Sequence, residues 1–198
     1  MNSLYVGKCL ILHLERLYVK MTPLEYKQLK AYARQDGFFL FLLWTASFAS
    51  YVYGLTNQMM AMLAIVLAVM TPFFVAGRLR KFRDEGREGI ISFRRSYAYT
   101  IFVFFYGAVL LAVLQFLYFA YMDHGYVLSS LSKMLSSDEG RMLVQQYGMT
   151  QMIDESLSQM AAVRPIDHAL NFLTINIILG FIFGIPISLV MQRNVAPK

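Results

Sequence analysis

The sequence predicts an all-α polytopic membrane protein: four transmembrane helices, with an extracytoplasmic amphipathic helical pair between helices three and four. Three observations predict it. Of 198 residues, 58% are hydrophobic and only 15% charged, against about 45–50% and about 25% in soluble domains. Charge is sorted into blocks, leaving uncharged tracts of 41 residues (Gly37 to Gly77), 27 residues (Ser96 to Met122) and 24 residues (Ala169 to Gln192). Basic residues then concentrate in alternate connections. The mean hydropathy of +0.49 excludes intrinsic disorder, because so much apolar surface has to be covered. A single cysteine, Cys9, excludes an internal disulfide and any cysteine-cluster metal site.

Residues 1–37 form a cytoplasmic N-terminal segment. Its apolar stretch, Cys9 to Val19, is interrupted by His13, Glu15 and Arg16, which does not fit a secretory leader. Thr22-Pro23-Leu24-Glu25 reads as a capping box with proline at the first helical position. Met21 directly precedes that cap and is an alternative start of the chain, with residues 1–20 then an annotation artefact.

Residues 38–77 are long enough for two crossings, since about 20 helical residues traverse the hydrocarbon core. Gly54-Leu55-Thr56-Asn57 is their turn, so the predicted spans are 38–55 and 58–77. Residues 78–95 form a basic cytoplasmic loop. Residues 96–122 hold helix three and 169–191 helix four, followed by the tail 192–198. Four segments cannot close a barrel, and hydrocarbon offers no partners to free backbone groups, so the spans are helices. Pro72 and Pro186 are tolerable kinks within them. Residues 123–168 are the helical insert. Leu128, Leu131 and Leu135 repeat at helical spacing, as do Met149, Met152, Ile153, Leu157 and Met160. Thr150 is placed to cap the second helix, and Arg164-Pro165 to end it.

Orientation follows from the basic residues. Residues 1–37 carry six basic and three acidic groups, 78–95 seven and three, and 123–168 three and six. Short loops rich in Lys and Arg stay in the cytoplasm, which puts both termini and the 78–95 loop inside and the insert outside.

The linker Arg83-Asp84-Glu85-Gly86-Arg87-Glu88-Gly89-Ile90-Ile91-Ser92-Phe93, followed by Ala98-Tyr99, leads into a long aromatic span. Beyond it come Asp123 with Gly125-Tyr126, an amphipathic insert and a glycine-bearing last span. This order resembles domain-of-unknown-function family 4199, four-span proteins typical of Bacteroidota, over about residues 38–193. Asp123-His124 stands where members often carry Asp-Pro. The resemblance implies the inner membrane of a Gram-negative bacterium. It supplies no activity and no catalytic residues, and none is assigned.

Four sets of residues are candidates for a site. Asp123-His124 and Asp167-His168 lie at the outer ends of helices three and four. If those helices are neighbours, the four side chains converge on a metal such as Zn²⁺; the plainer reading is that Asp167 caps helix four. Arg78, Arg80, Lys81, Arg83, Arg87, Arg94 and Arg95 suit a phosphorylated lipid or an acidic partner, or serve as topology determinants alone. Gly180 and Gly184 form a small-xxx-small face for close helix packing, and Asn171 and Asn176 can hydrogen-bond across helices. Gln115 is polar within helix three. Six of thirteen methionines lie between Met122 and Met160, suiting adaptable contacts more than copper.

No Asp, Glu, Lys, Arg or His sits within a predicted span, so a proton relay has no carrier. No nucleotide-binding loop, serine-nucleophile elbow or zinc-protease helix occurs, and no nucleic-acid-binding module accompanies the charge. No cofactor is expected. The leading expectation is a non-enzymatic inner-membrane scaffold or accessory subunit, in contact with membrane lipids and with a protein partner or a second copy. The rivals are a membrane enzyme or enzyme accessory acting on a lipid-linked phosphate near Arg94 and Arg95, and a small oligomeric transporter or channel lined by Gln115, Asn171 and Asn176.

Overall fold

A computed structural model describes residues 21–193. The expectations placed on Cys9, on the alternative start and on residues 1–20 generally lie outside the described residues, as do residues 194–198 of the tail. Seven helices occur among the described residues: α1 (Pro23–Gly54), α2 (Gln58–Gly86), α3 (Phe93–Tyr121), α4 (Tyr126–Ser136), α5 (Asp138–Gln146), α6 (Thr150–Ala162) and α7 (Pro165–Met191). The chain is a multi-pass membrane protein: α1, α2, α3 and α7 are each long and apolar enough to cross a bilayer.

α1 starts at the expected capping box. The Thr22 hydroxyl accepts the Glu25 N–H at 3.2 Å, and the Glu25 carboxylate accepts the Thr22 N–H at 2.9 Å. Nothing interrupts the helix before Gly54, so the charged N-terminal turns and the first span are one rod. The expected turn follows. Asn57 caps α2 by accepting from the N–H groups of Met59 and Met60. A Cβ on Gly54 would lie 2.7 Å from the Ala61 backbone, so only glycine allows the hairpin to close this tightly.

α3 is the central element, packed along α1 on one side and α7 on the other, while α2 packs mainly on α1. α2 and α7 meet over a much shorter stretch. The core lies where α1, α2 and α3 converge and includes Leu40, Val75, Leu79, Phe82, Tyr99 and Val103. Ile65, Val69, Phe73, Val113, Ile182 and Val190 point outward and are exposed. That reversal of the usual pattern suits helices bathed in lipid, where contact between helices comes from packing and not from hydrophobicity.

The insert contains three helices where the leucine and methionine spacing predicts two. Ser137 breaks the first run: its hydroxyl accepts the Gly140 N–H at 3.1 Å and starts α5. Gly148, with φ +64°, makes the next break. Thr150 is the first helical residue of α6 and not its cap. Pro165 likewise opens α7, four residues ahead of the predicted start, and Asp167 lies in the first turn behind the N-cap Arg164. The three insert helices pack chiefly on one another.

Candidate functional site

Most of the predicted basic cluster lies at one end of the bundle, where α1 begins, α2 passes into α3 and α7 finishes. An antiparallel hairpin turning at Asn57 brings Asp36 opposite Arg78, because the two are equidistant from the turn in sequence. Asp36, 2% exposed, accepts from the Arg78 guanidinium and from the Tyr99 hydroxyl. Arg78 also lies over the Phe39 ring, 4.8 Å from its centre. A buried carboxylate needs such partners, since desolvation without them costs several kcal/mol.

Arg83 is also buried. It donates to the Asp84 carboxylate at 2.7 Å and to the Met191 carbonyl at 3.1 Å, pairing a carbonyl that the end of α7 leaves without a helical donor. Ile91 and Arg193 exchange two backbone hydrogen bonds, each of 2.9 Å, which pins that end of α7 to the linker. Glu25 joins the linker to α1, accepting Arg87 at 2.9 Å and Arg95 at 2.8 Å. It lies three helical turns before the uncharged, membrane-spanning part of α1. Burial pushes its carboxyl up, but the Thr22 N–H and the two guanidinium groups outweigh that and hold it below its ordinary value of 4.5. Arg80 and Lys81 make exposed pairs with Asp84 and Glu85, at 3.7 and 3.8 Å. Arg94 is exposed and pairs with no carboxylate among the described residues.

Gly180 and Gly184 lie on the face of α7 that meets α3. A Cβ on Gly180 would come 2.6 Å from the Phe104 Cβ, and one on Gly184 2.9 Å from the Tyr97 ring. Ser188 continues the stripe and is fully buried. Helices three and four are therefore neighbours. Asn171 faces outward and is exposed. Asn176 and Gln115 instead line a cleft of about 500 Å³ between α2 and α7. Ala64, Ala68, Phe172 and Phe183 form its walls, with the mostly buried Trp44 deeper in. The Trp44 indole N–H donates to the Thr71 hydroxyl at 3.0 Å. The Gln115 side-chain oxygen is buried without a partner among the described residues.

At the opposite end, the two Asp-His dipeptides are adjacent but differently engaged. The Asp123 carboxylate accepts the N–H groups of Gly125 and Val127, both at 3.0 Å, and so opens α4. Asp167 pairs with Arg164 at 2.8 Å, which in turn raises the Arg164 pKa. His168 stacks on Phe119, with ring centres 4.7 Å apart, and shares a small cavity with Asp123. His124 is exposed, with φ +43°. Among the described residues no three of His, Cys, Asp and Glu come together as a metal-binding group.

Asp36, Glu25, Tyr99 and Trp44 carry structural roles that spacing alone did not single out. The signal for Asp36 was present: it is the last charge before the long uncharged tract, and Arg78 is the first after it. Glu25 had already been read as a cap, and nothing local distinguishes a cap from a cap that also binds two distant arginines.

Residues 35–193 match the family described as Protein of unknown function (DUF4199), and the chain belongs to that family. No curated protein and no solved structure matches the chain.

Proposed function

We propose that this chain is a non-enzymatic scaffold or accessory protein of the bacterial inner membrane. Both termini and the basic end lie in the cytoplasm, and the α4–α6 insert lies outside, where it docks a membrane-protein partner. One observation carries the reading. α5 and α6 bury none of their residues, and Met142, Leu143 and Met152 are 63, 55 and 54% exposed. Amphipathic helices at a membrane surface require a cover for such a stripe, and methionine adapts well to a partner's contours. The excess of basic residues at the other end supports the orientation. There, Arg94 is exposed with no carboxylate partner among the described residues, and Arg80 and Lys81 hold Asp84 and Glu85 only in long, exposed pairs, so all three can face anionic headgroups, each contributing about 1 kcal/mol when close to the surface.

The test is affinity purification of the full chain from native membranes in mild detergent, beside a Leu143→Asp/Met152→Asp variant. A stoichiometric foreign membrane subunit that is lost with the variant is the expected result. Its retention would remove the insert from the interface. A Lys133→Cys variant in a Cys9→Ser background should react with an impermeant maleimide in intact cells; labelling only after lysis would invert the orientation.

A further inference from the structure

We infer that the cleft between α2 and α7 binds a neutral quinol-class molecule, a hydroxylated aromatic ring on an apolar tail, with its hydroxyl on the carboxamide of Gln115. This site is separate from the insert and does not rest on the docking reading above.

The cleft's lining residues on α2, α3 and α7 lie near the middle of those helices. Its residues on α7 run from Phe172 to Phe183, about 16 Å of helix, which is longer than one ring and leaves room for the start of a tail. A volume of about 500 Å³ falls within the range of small-molecule sites. Among the described residues no Asp, Glu, Lys, Arg or His lines it, so a charged headgroup finds no counter-ion among them. Trp44, Phe48, Phe104, Phe172 and Phe183 offer aromatic surfaces, against which a flat ring gains offset or edge contacts beyond simple burial.

Gln115 decides what that ring must carry. The residue is 2% exposed and its side-chain oxygen has no donor among the described residues. A buried acceptor left unpaired costs about 1–3 kcal/mol. Neighbouring polar groups do not relieve it: the Trp44 N–H is on Thr71, and the Ser47 hydroxyl donates to the Ala64 carbonyl. A phospholipid acyl chain or an apolar helix from a second copy would fill the walls and leave this oxygen unpaired. A phenolic hydroxyl both donates and accepts, so it serves either end of the carboxamide. Asn176 supplies a second carboxamide in the same cleft for the ring's other oxygen.

Trp44 is the single tryptophan of the chain, so its fluorescence reports on this cleft alone. The experiment titrates the full chain in mild detergent with 2-decylhydroquinone. Saturable quenching at about one equivalent is expected, with decylbenzene a poor competitor. Gln115→Leu should raise the half-saturation concentration about tenfold, the loss of one hydrogen bond. Ala68→Phe, which fills the cleft from its α2 wall, should abolish the saturable phase. Quinol or quinone recovered in near-molar amount from protein purified out of native membranes would add support. Linear, unsaturable quenching would overturn the proposal, as would equal competition by decylbenzene, which makes the cleft a site for any apolar chain. Unchanged affinity in Gln115→Leu would overturn it too, and so would a native dimer that Ala68→Phe dissociates.

Discussion

At the end where α1 begins and α7 finishes, arginines turn inward: Arg78 meets Asp36, Arg83 meets Asp84 and the Met191 carbonyl of α7, and Arg87 and Arg95 share Glu25. At the opposite end, α5 and α6 bury nothing and leave Met142 and Leu143 in the open. The basic segment, which has the higher charge density, is thus the more self-contained region. The insert, net acidic and sparser in charge, is the one left with unmet contacts. Charge counted along a chain measures attraction to a membrane surface; it does not measure availability, which depends on what each guanidinium already holds.

The contrast breaks most sharply at Asp36. Asp36→Ala leaves the Arg78 guanidinium and the Tyr99 hydroxyl without their shared acceptor, and breaking a buried ion pair from one side costs about 3–5 kcal/mol. The Arg78 side chain is 24% exposed, so water partly compensates and a loss of about 3 kcal/mol is expected at the lower end of that range. Unfolding in mixed micelles measures it. Asp36→Ala combined with Arg78→Leu should recover part of the loss, and no recovery would mean that Arg78 is not the partner that matters.

The next effect is steric. Gly180→Ala places a methyl group 2.6 Å from the Phe104 Cβ, an atom with no freedom to swing aside, and overpacking of this kind costs about 2 kcal/mol. Gly77→Ala is the control, because a Cβ there meets nothing within 4 Å. Equal losses at the two positions would show that α7 does not approach α3 as closely as described.

How far this was legible in the sequence depends on the range of the interaction. The capping box at Thr22, the turn at Asn57 and the close-packing face at Gly180 and Gly184 are read from neighbouring residues, and the structure contains all three. The Asp36–Arg78 pair was within reach, because a hairpin with a known turn fixes which residues face each other. Arg83 on Met191 and Glu25 on Arg95 were not, since they depend on how separate helices pack. Gln115 was visible as a polar residue in a span, but its burial in a cleft depends on α2 and α7 drawing apart. In the insert, Ser137 is an ordinary cap residue hidden within a serine-rich run, which is why one predicted helix proved to be two.

Acid should weaken the Glu25 clamp by a smaller amount. Its folded pKa is lowered, so the unfolded chain takes up the proton first as pH falls. The clamp's contribution is complete above about pH 4.5, the ordinary carboxyl value, and is lost as pH drops through the lower folded value. Glu25 is one-quarter exposed, so the contribution is about 1 kcal/mol. Stability followed from pH 6 downward should fall more steeply in the native chain than in Glu25→Gln, which has no such proton to bind. Parallel curves would show that Arg87 and Arg95 hold Glu25 no better folded than unfolded.

The smallest change in stability is expected where the largest change in binding is proposed. Met142→Ser with Leu143→Ser alters two side chains that are 63 and 55% exposed, and surface substitutions of this kind stay within about 0.5 kcal/mol. Ser137 would still start α5, and its bond to the Gly140 N–H involves neither position. If the insert is a docking surface, the purified variant should therefore unfold with the native chain while its partner no longer accompanies it from the membrane. A loss of about 2 kcal/mol or more would mean that these side chains pack within the protein itself, as core truncations do. In that case the two ends of the molecule would differ only in the kind of internal contact they make, and the exposed stripe would no longer argue for a partner.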